Sequence, residues 1–395
     1  MTTRVLALIL LLFGLLPVAA PLAAEQKDFT FVYLYQDDDP AYEVERGYTG
    51  LILRERKRPV DGAESAIKEV RILGRALGFA FKLESVALPA GADPVDQVRG
   101  LVAESGHRVF LLDLPLEEVR RLARGLRGDD VLLFNIRHEE ADLRQENCSA
   151  TLFHTIPSLA MRSDALAQFL AARHWSRVLI LEGQAEADKA YSAAFQASAR
   201  KFGLTIVAVH PFVLSNDPRE REQNNIALLT AEPAQDVILL ADSYGEFGRY
   251  VPYATYAPRP VVGSEGLVSS AWHWSWERYG APQLNQRFDK LTGRVMSDED
   301  WAAWAAVRAV VAAISQLKVA NIDSLRSELA ADDFAFDLYK GFPGSFRAWN
   351  HQLRQPILLH THNAVIAAAP LPGFLHERNN LDTLGVDQPE NRCQF

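Results

Sequence analysis

Short apolar runs, each closing on a polar side chain, recur along this chain between stretches of helical periodicity. That alternation narrows the fold to parallel α/β units, because each strand must reach its parallel neighbour through a crossover helix. The first run, residues 29–35, is rich in Val and aromatics and alternates poorly, as a strand buried on both faces does. It breaks into Asp37-Asp38-Asp39-Pro40. Pro40 cannot extend a ladder and keeps Asp39 out of helical geometry. The three aspartates therefore fall just past the carboxyl end of the strand, the edge at which open α/β sheets take ligands.

The rhythm then runs on. A helix is predicted over 62–78, with Ala63, Ala66, Ile67, Val70, Leu73 and Leu77 on one face and Gly78 as its stop. Next come a strand over 79–86, a helix over 95–104, and a strand over 108–112 closing on Asp113. Pro115 opens a further helix, and a strand over 131–134 closes on Asn135. A second series follows. It comprises an extended 152–156, a helix over 158–173, a strand over 177–181 closing on Glu182, a helix over 185–202 and a strand over 204–209. A helix over 219–230, a strand over 236–240 before Asp242, and a short strand at 261–262 before Glu265 complete it. Two such series predict two doubly wound parallel-sheet lobes. The last third departs from the pattern, with helices over 298–317 and 322–330 and strands over 345–349, 356–360 and 364–369. A chain that returns in this way crosses between lobes more than once. The expected lobes are 25–153 with 269–320 and 154–268 with 321–369, leaving 370–395 as a surface tail.

Residues 1–24 carry one positive charge, an apolar stretch over 5–16 and small residues before position 25, in the order of a secretory signal. The stretch is shorter than the ~20 residues a membrane span needs, so an exported protein without membrane insertion is expected. The chain has 41 basic and 50 acidic side chains, a net charge of −9. That balance argues against nucleic acid as a partner. Two cysteines, Cys148 and Cys393, predict one disulfide in an oxidising compartment, which would pin the tail.

Asp37, Asp38, Asp39, Asp113, Asn135, Asp242 and Glu265 stand at strand ends and form the candidate ligand set. Each alone could simply cap the next helix. Together, on facing sheets, they would make an acidic cleft suited to a cation or polyol. Trp272-His-Trp-Ser-Trp276 could stack a ring or pack internally, and His360-Thr-His362 reads as structural for want of a third ligand. No nucleophile elbow, phosphate loop or dinucleotide fingerprint is present, so an enzyme is not expected.

Export, two doubly wound lobes and strand-end ligands resemble the type I periplasmic binding proteins, including branched-chain amino acid receptors. Residues 151–157 look like the first interlobe crossing of that family and 262–267 like the loop before the second. Pro59-Val-Asp-Gly62, the 216–225 segment, Gly245-Glu-Phe-Gly-Arg-Tyr-Val-Pro252, the 281–288 segment and Leu381-Asp-Thr-Leu-Gly385 are similar to the binding component of PQQ-dependent alcohol dehydrogenase systems. The resemblance implies a periplasmic solute-binding protein working with the permease and ATPase subunits of an ABC transporter, or presenting its ligand to a membrane sensor. It also makes a hard cation, calcium or a lanthanide, one candidate ligand, held by Asp37, Asp38 and Asp39 with Asp242 or Glu265. An alcohol, an aldehyde or PQQ is the alternative. Amino acid receptors hold a ligand carboxylate where this chain has Asp113 and Pro115, which speaks against an amino acid.

Overall fold

The computed structural model describes residues 26–395 apart from 48, 49, 216 and 232–234. The expected signal segment lies outside the described residues. The first lobe is built on strands β1 (Lys27–Gln36), β2 (Phe79–Leu88), β3 (Val109–Asp113), β4 (Leu132–Asn135) and β5 (Leu152–His154), all parallel, in the order β2-β1-β3-β4-β5. Helices α1 (Val60–Leu77), α2 (Pro94–Ser105) and α3 (Leu116–Gly125) make its crossovers. The central β3 is wholly buried, which is why its sequence shows no alternation.

The second lobe repeats the plan. It begins with α4 (Leu159–Ala172), β6 (Arg177–Glu182), α5 (Glu186–Lys201) and β7 (Thr205–Pro211). The strands β8 (Val237–Ala241) and β9 (Val261–Gly263) complete a parallel sheet ordered β9-β8-β6-β7. In each sheet the strand order reverses beside the first strand, between β1 and β3 and between β6 and β8. Crevices at such switch points are where ligands enter doubly wound sheets.

The chain then runs through β10 (Val268–Ser270), α6 (Ala281–Thr292), α7 (Asp298–Leu317) and α8 (Ile322–Leu329). The strands β11 (Phe336–Asp337), β12 (Pro343–Phe346) and β13 (Leu353–Arg354) form one antiparallel sheet. The strands β14 (Ile357–His360) and β15 (Val365–Ala369) join β10 in another. Helix α7 lies in the first-lobe core against α1, with Trp301 and Trp304 fully buried. Gly62 allows that crossing: a Cβ there would sit 1.9 Å from the Asp300 carbonyl oxygen. No single helix among the described residues is long and apolar enough to cross a membrane.

Three expectations need correction. The helix expected over 219–230 is two short ones, Pro218–Arg221 and Ile226–Leu229. Asn224 pairs its side chain with both backbone groups of Val213, and Asn225 caps the second turn through Leu228 N. Those local bonds compete with a continuous helix. Secondly, 321–369 does not pack as one unit with the second lobe. Ile322, Leu325, Leu329, Phe334, Phe336 and Phe346 join the first-lobe core, whereas Ile357, Leu359 and Ala369 join the second. Thirdly, the tail is not merely a surface segment. Leu381 and Leu384 are buried, and the buried Asp382 carboxylate accepts from Arg347 and Arg354. The predicted bridge is present: Cys148 and Cys393 are bonded with Cα atoms 5.7 Å apart.

Candidate ligand cleft

Buried Asp113 ends β3 and is the centre of the first-lobe strand edge. One carboxylate oxygen accepts from the Tyr33 hydroxyl (2.5 Å) and Arg58 Nη1 (3.0 Å), the other from the Tyr42 hydroxyl (2.5 Å) and Arg137 Nη1 (3.2 Å). Arg137 also grips Asp39 through Nη1 (2.5 Å) and Nη2 (3.4 Å). Arg58 lies over the rings of Tyr42 and Tyr35, at 4.2 and 4.9 Å, and donates to the Gln36 and Asp37 carbonyl oxygens. Two carboxylates and two guanidiniums thus cancel at the switch point. Burial alone would raise the Asp39 carboxyl, but the Arg137 bond and the Ala41 amide outweigh it and hold it below its ordinary range. Burial and the neighbouring Asp113 charge push both tyrosine hydroxyls far up, so they stay protonated donors.

The other predicted first-lobe residues do less. Asp37 and Asp38 are exposed, and Asp38 accepts from the Gln36 amide. Asn135 is buried but turned to structural use. Its Oδ1 accepts from the Arg137 and His138 amides, and its Nδ2 reaches the His138 carbonyl oxygen and the His154 ring.

In the second lobe Asp242 follows β8 and accepts three backbone amides, from Tyr244, Gly245 and Gly248, at 2.7–3.2 Å. Burial raises its pKa, with those amides opposing. It lines a cavity of about 330 Å³ with Glu139, Arg162, Asp188, Tyr191, Ser243 and Ser264. Glu139 comes from the loop after β4, while Asp188, Asp242 and Ser264 follow β6, β8 and β9. The cavity therefore lies at the second-lobe strand edge, and the first lobe reaches it through Glu139. Arg162 donates to Glu139 (2.5 Å) and to the Ser269 carbonyl oxygen (2.8 Å). Burial pushes the Tyr191 hydroxyl up to about 12 and raises the Glu139 carboxyl against the pull of Arg162. Asp188 braces the wall, accepting from the Ser243 and Ala185 amides.

Glu265 does not share this cavity. It lines a neighbouring groove of about 790 Å³ with Trp175, Tyr253, His360 and His362, and burial beside Asp242 raises its pKa. The acids expected to hold one cation are thus divided among a neutralised cluster, a cavity and a groove. Among the described residues no three His, Cys, Asp or Glu are grouped as a metal ion requires. The expected metal set of Asp37, Asp38, Asp39, Asp242 and Glu265 is not assembled, because Arg137 occupies Asp39 and backbone amides occupy Asp242. Trp272 and Trp276 pack in the first-lobe core rather than forming a platform, and only Trp274 is exposed.

Arg58, Arg137, Arg162, Glu139 and Tyr191 were missed by the reading of the sequence. Arg137 and Glu139 follow a strand end by two and four residues, a position that marked the acids.

A model of the periplasmic binding protein family matches residues 59–363. The chain belongs to that family. Its work is binding rather than catalysis, and its place is the periplasm. No curated protein matches the chain. Among solved structures it is similar to a branched-chain amino acid ABC transporter periplasmic ligand-binding protein from Burkholderia xenovorans. The TM-score is 0.69 at 12% identity, covering 86% of this chain and 95% of that one. It is also similar to a leucine-, isoleucine-, valine-, threonine- and alanine-binding protein from Brucella ovis in its closed conformation (0.64, 15%, 87% and 92%). A solute-binding protein from R. palustris in complex with benzoate matches at 0.62 and 11%, over 94% and 100%. At these identities the likeness is one of fold.

Proposed function

We propose that this periplasmic binding protein captures a small, hydroxylated, non-anionic solute between its lobes for an ABC importer. The carrying observation is a cavity at the second-lobe strand edge to which the first lobe contributes Glu139, where hinge closure would trap a ligand. Delivery to the permease and its ATPase follows from the likeness to a ligand-binding protein of an ABC transporter. Several of those relatives are named for amino acids or benzoate, which are carboxylates. Here the lining sets Glu139, Asp188 and Asp242 against one guanidinium, and Arg162 is already paired with Glu139. An anion would meet an excess of like charge, whereas a hydroxyl can donate to Glu139 and accept from Tyr191. Such a solute suits the link to PQQ-dependent alcohol oxidation, which rests on the sequence resemblance. A hard cation fits less well, for want of grouped oxygen ligands.

The test is a thermal-shift and calorimetry panel of small alcohols and polyols, leucine, benzoate, calcium and lanthanum. A ligand of the native state raises Tm by mass action. Alcohols or polyols should bind, and Tyr191→Phe or Glu139→Gln should weaken them about tenfold or more, the loss of about one buried hydrogen bond. Binding of carboxylates alone would refute the charge argument, and binding of the metals alone would restore the cation.

A further inference from the structure

We infer that residues 381–395 form a strap across the hinge, with the Cys148–Cys393 bridge limiting how far the lobes separate. The inner end is docked on the second lobe. Leu384 is part of its core, Gly385 N donates to Asp164 (2.7 Å), and Lys201 Nζ donates to the carbonyl oxygens of Thr383 (3.0 Å) and Gly385 (2.9 Å). Just before these contacts, Asp382 reaches the other way. Its carboxylate accepts from Arg347 Nε and Arg354 Nε, both at 2.8 Å, and these arginines flank first-lobe core residues Phe346 and Leu353. The outer end lies on the first lobe. Arg392 N donates to Gln145 (2.6 Å), Asn391 donates to the Trp349 carbonyl oxygen (3.2 Å), and Cys393 is bonded to Cys148. Phe395 stacks on His351 at 4.3 Å, and His351 stacks on Phe153 of β5 at 4.1 Å.

The bridge matters because the other outer contacts are weak. Arg392 and Glu146 pair in the open, with 72% and 54% of their side-chain surfaces exposed, and such pairs contribute little. Phe395 is itself 56% exposed. From Gly385 to Cys393 the chain has eight residues of reach, about 26–29 Å fully drawn out. The Asp382 pairs tie the inner end of the same segment to the first lobe, and the bridge is the second tie, which holds the lobes when those pairs open. The strap also lies beside the crossing strands. Gln352 Nε2 donates to the His154 and Ile156 carbonyl oxygens of the first crossing, and Arg144 joins them through Gln352 Oε1 (2.6 Å) and the Ile156 carbonyl oxygen (3.0 Å).

The inference rests on the two-lobe binding reading, so the unliganded protein is measured and no ligand need be known. Electron–electron distance measurements would use unnatural-residue labels at exposed Glu104 in the first lobe and Arg200 in the second. In a Cys148→Ala/Cys393→Ala variant the interlobe distribution should widen and its mean lengthen. Phe395→Ala, which keeps the bridge, should match the parent. The parent with its bridge cleaved in place by a dithiol, itself oxidised to a cyclic disulfide, should behave as the double variant does, which covers a failure of that variant to fold. An unchanged distribution without the bridge would overturn the inference. Equal widening in Phe395→Ala would overturn the role of the bridge.

Discussion

Asp113→Asn separates two roles for the most buried acid at the first-lobe strand edge. The substitution keeps the shape and removes one charge, leaving Arg58 and Arg137 facing Asp39 alone. It also turns one acceptor oxygen into a donor. A tyrosine hydroxyl can rotate and accept from the new amide, but a guanidinium cannot accept at all. Whichever way the amide turns, Arg58 (3.0 Å) or Arg137 (3.2 Å) therefore loses its bond to residue 113. Breaking one side of a buried ion pair costs about 3–5 kcal/mol. Arg58 keeps 22% of its side-chain surface exposed and can turn partly to water, so the lower end, about 3 kcal/mol, is expected here. For a unit of this size that is a fall of roughly 6–12 °C in Tm.

Urea and thermal unfolding followed by near-ultraviolet dichroism measure it, with Asp38→Asn as the exposed control, expected within about 0.5 kcal/mol of the parent. A loss for Asp113→Asn no larger than that of the control would refute the reasoning. The carboxylate would then be free to serve a ligand, as the sequence suggested.

Two further outcomes follow from buried charge. Asp382→Asn should cost about 3–5 kcal/mol in urea unfolding, because Arg347 and Arg354 are 1% and 7% exposed and share that single carboxylate. Stability should also fall as pH drops below about 6.5, before most carboxylates titrate. Burial lowers His351 to about 3 and His154 well below its ordinary value, so each stays neutral in the fold while the unfolded chain takes up a proton. Each contributes a loss of up to about 1.4 kcal/mol per pH unit over that window. His351→Phe, which keeps the stack between Phe153 and Phe395, should flatten the slope seen by chemical denaturation between pH 6.5 and 4.5.

The alternation of periods made both sheets legible, since a buried parallel strand and a crossover helix leave different marks over only a few residues. Helix α7 was legible to its ends. Ser297 and Asp300 form a capping box at its start, and the stripe carried by Trp301, Trp304 and Val307 is not interrupted. Helix α6 was passed over although Gly280, Pro282 and Gly293 bracket it, because only Leu284 and Phe288 of its apolar face are spaced as a stripe. The tail gave no periodic signal. Leu381 and Leu384 are buried by partners about two hundred residues away in sequence or by Arg347, and no local pattern records such contacts.

The candidate site was legible by position and misread by charge. Strand-end placement singled out Asp242, which lines the cavity, and Asp113 and Asn135, which do not. The error was to sum the acids as though each remained free. A carboxylate taken out of water must find a counter-charge or several donors, or it will not stay ionised. Asp39 and Asp113, the acids that are buried, therefore already imply donors nearby, and the chain supplies them in Arg58 and Arg137. Those arginines are hidden by context: Arg58 ends a charged run that reads as solvated, and Arg137 is followed by His138-Glu-Glu140, whose acids dominate the local charge. Had the demand for a partner been applied to Asp113 first, an arginine two residues beyond the next strand would have been the natural choice. The first-lobe strand edge would then have read as a neutralised cluster rather than as half of an acidic cleft.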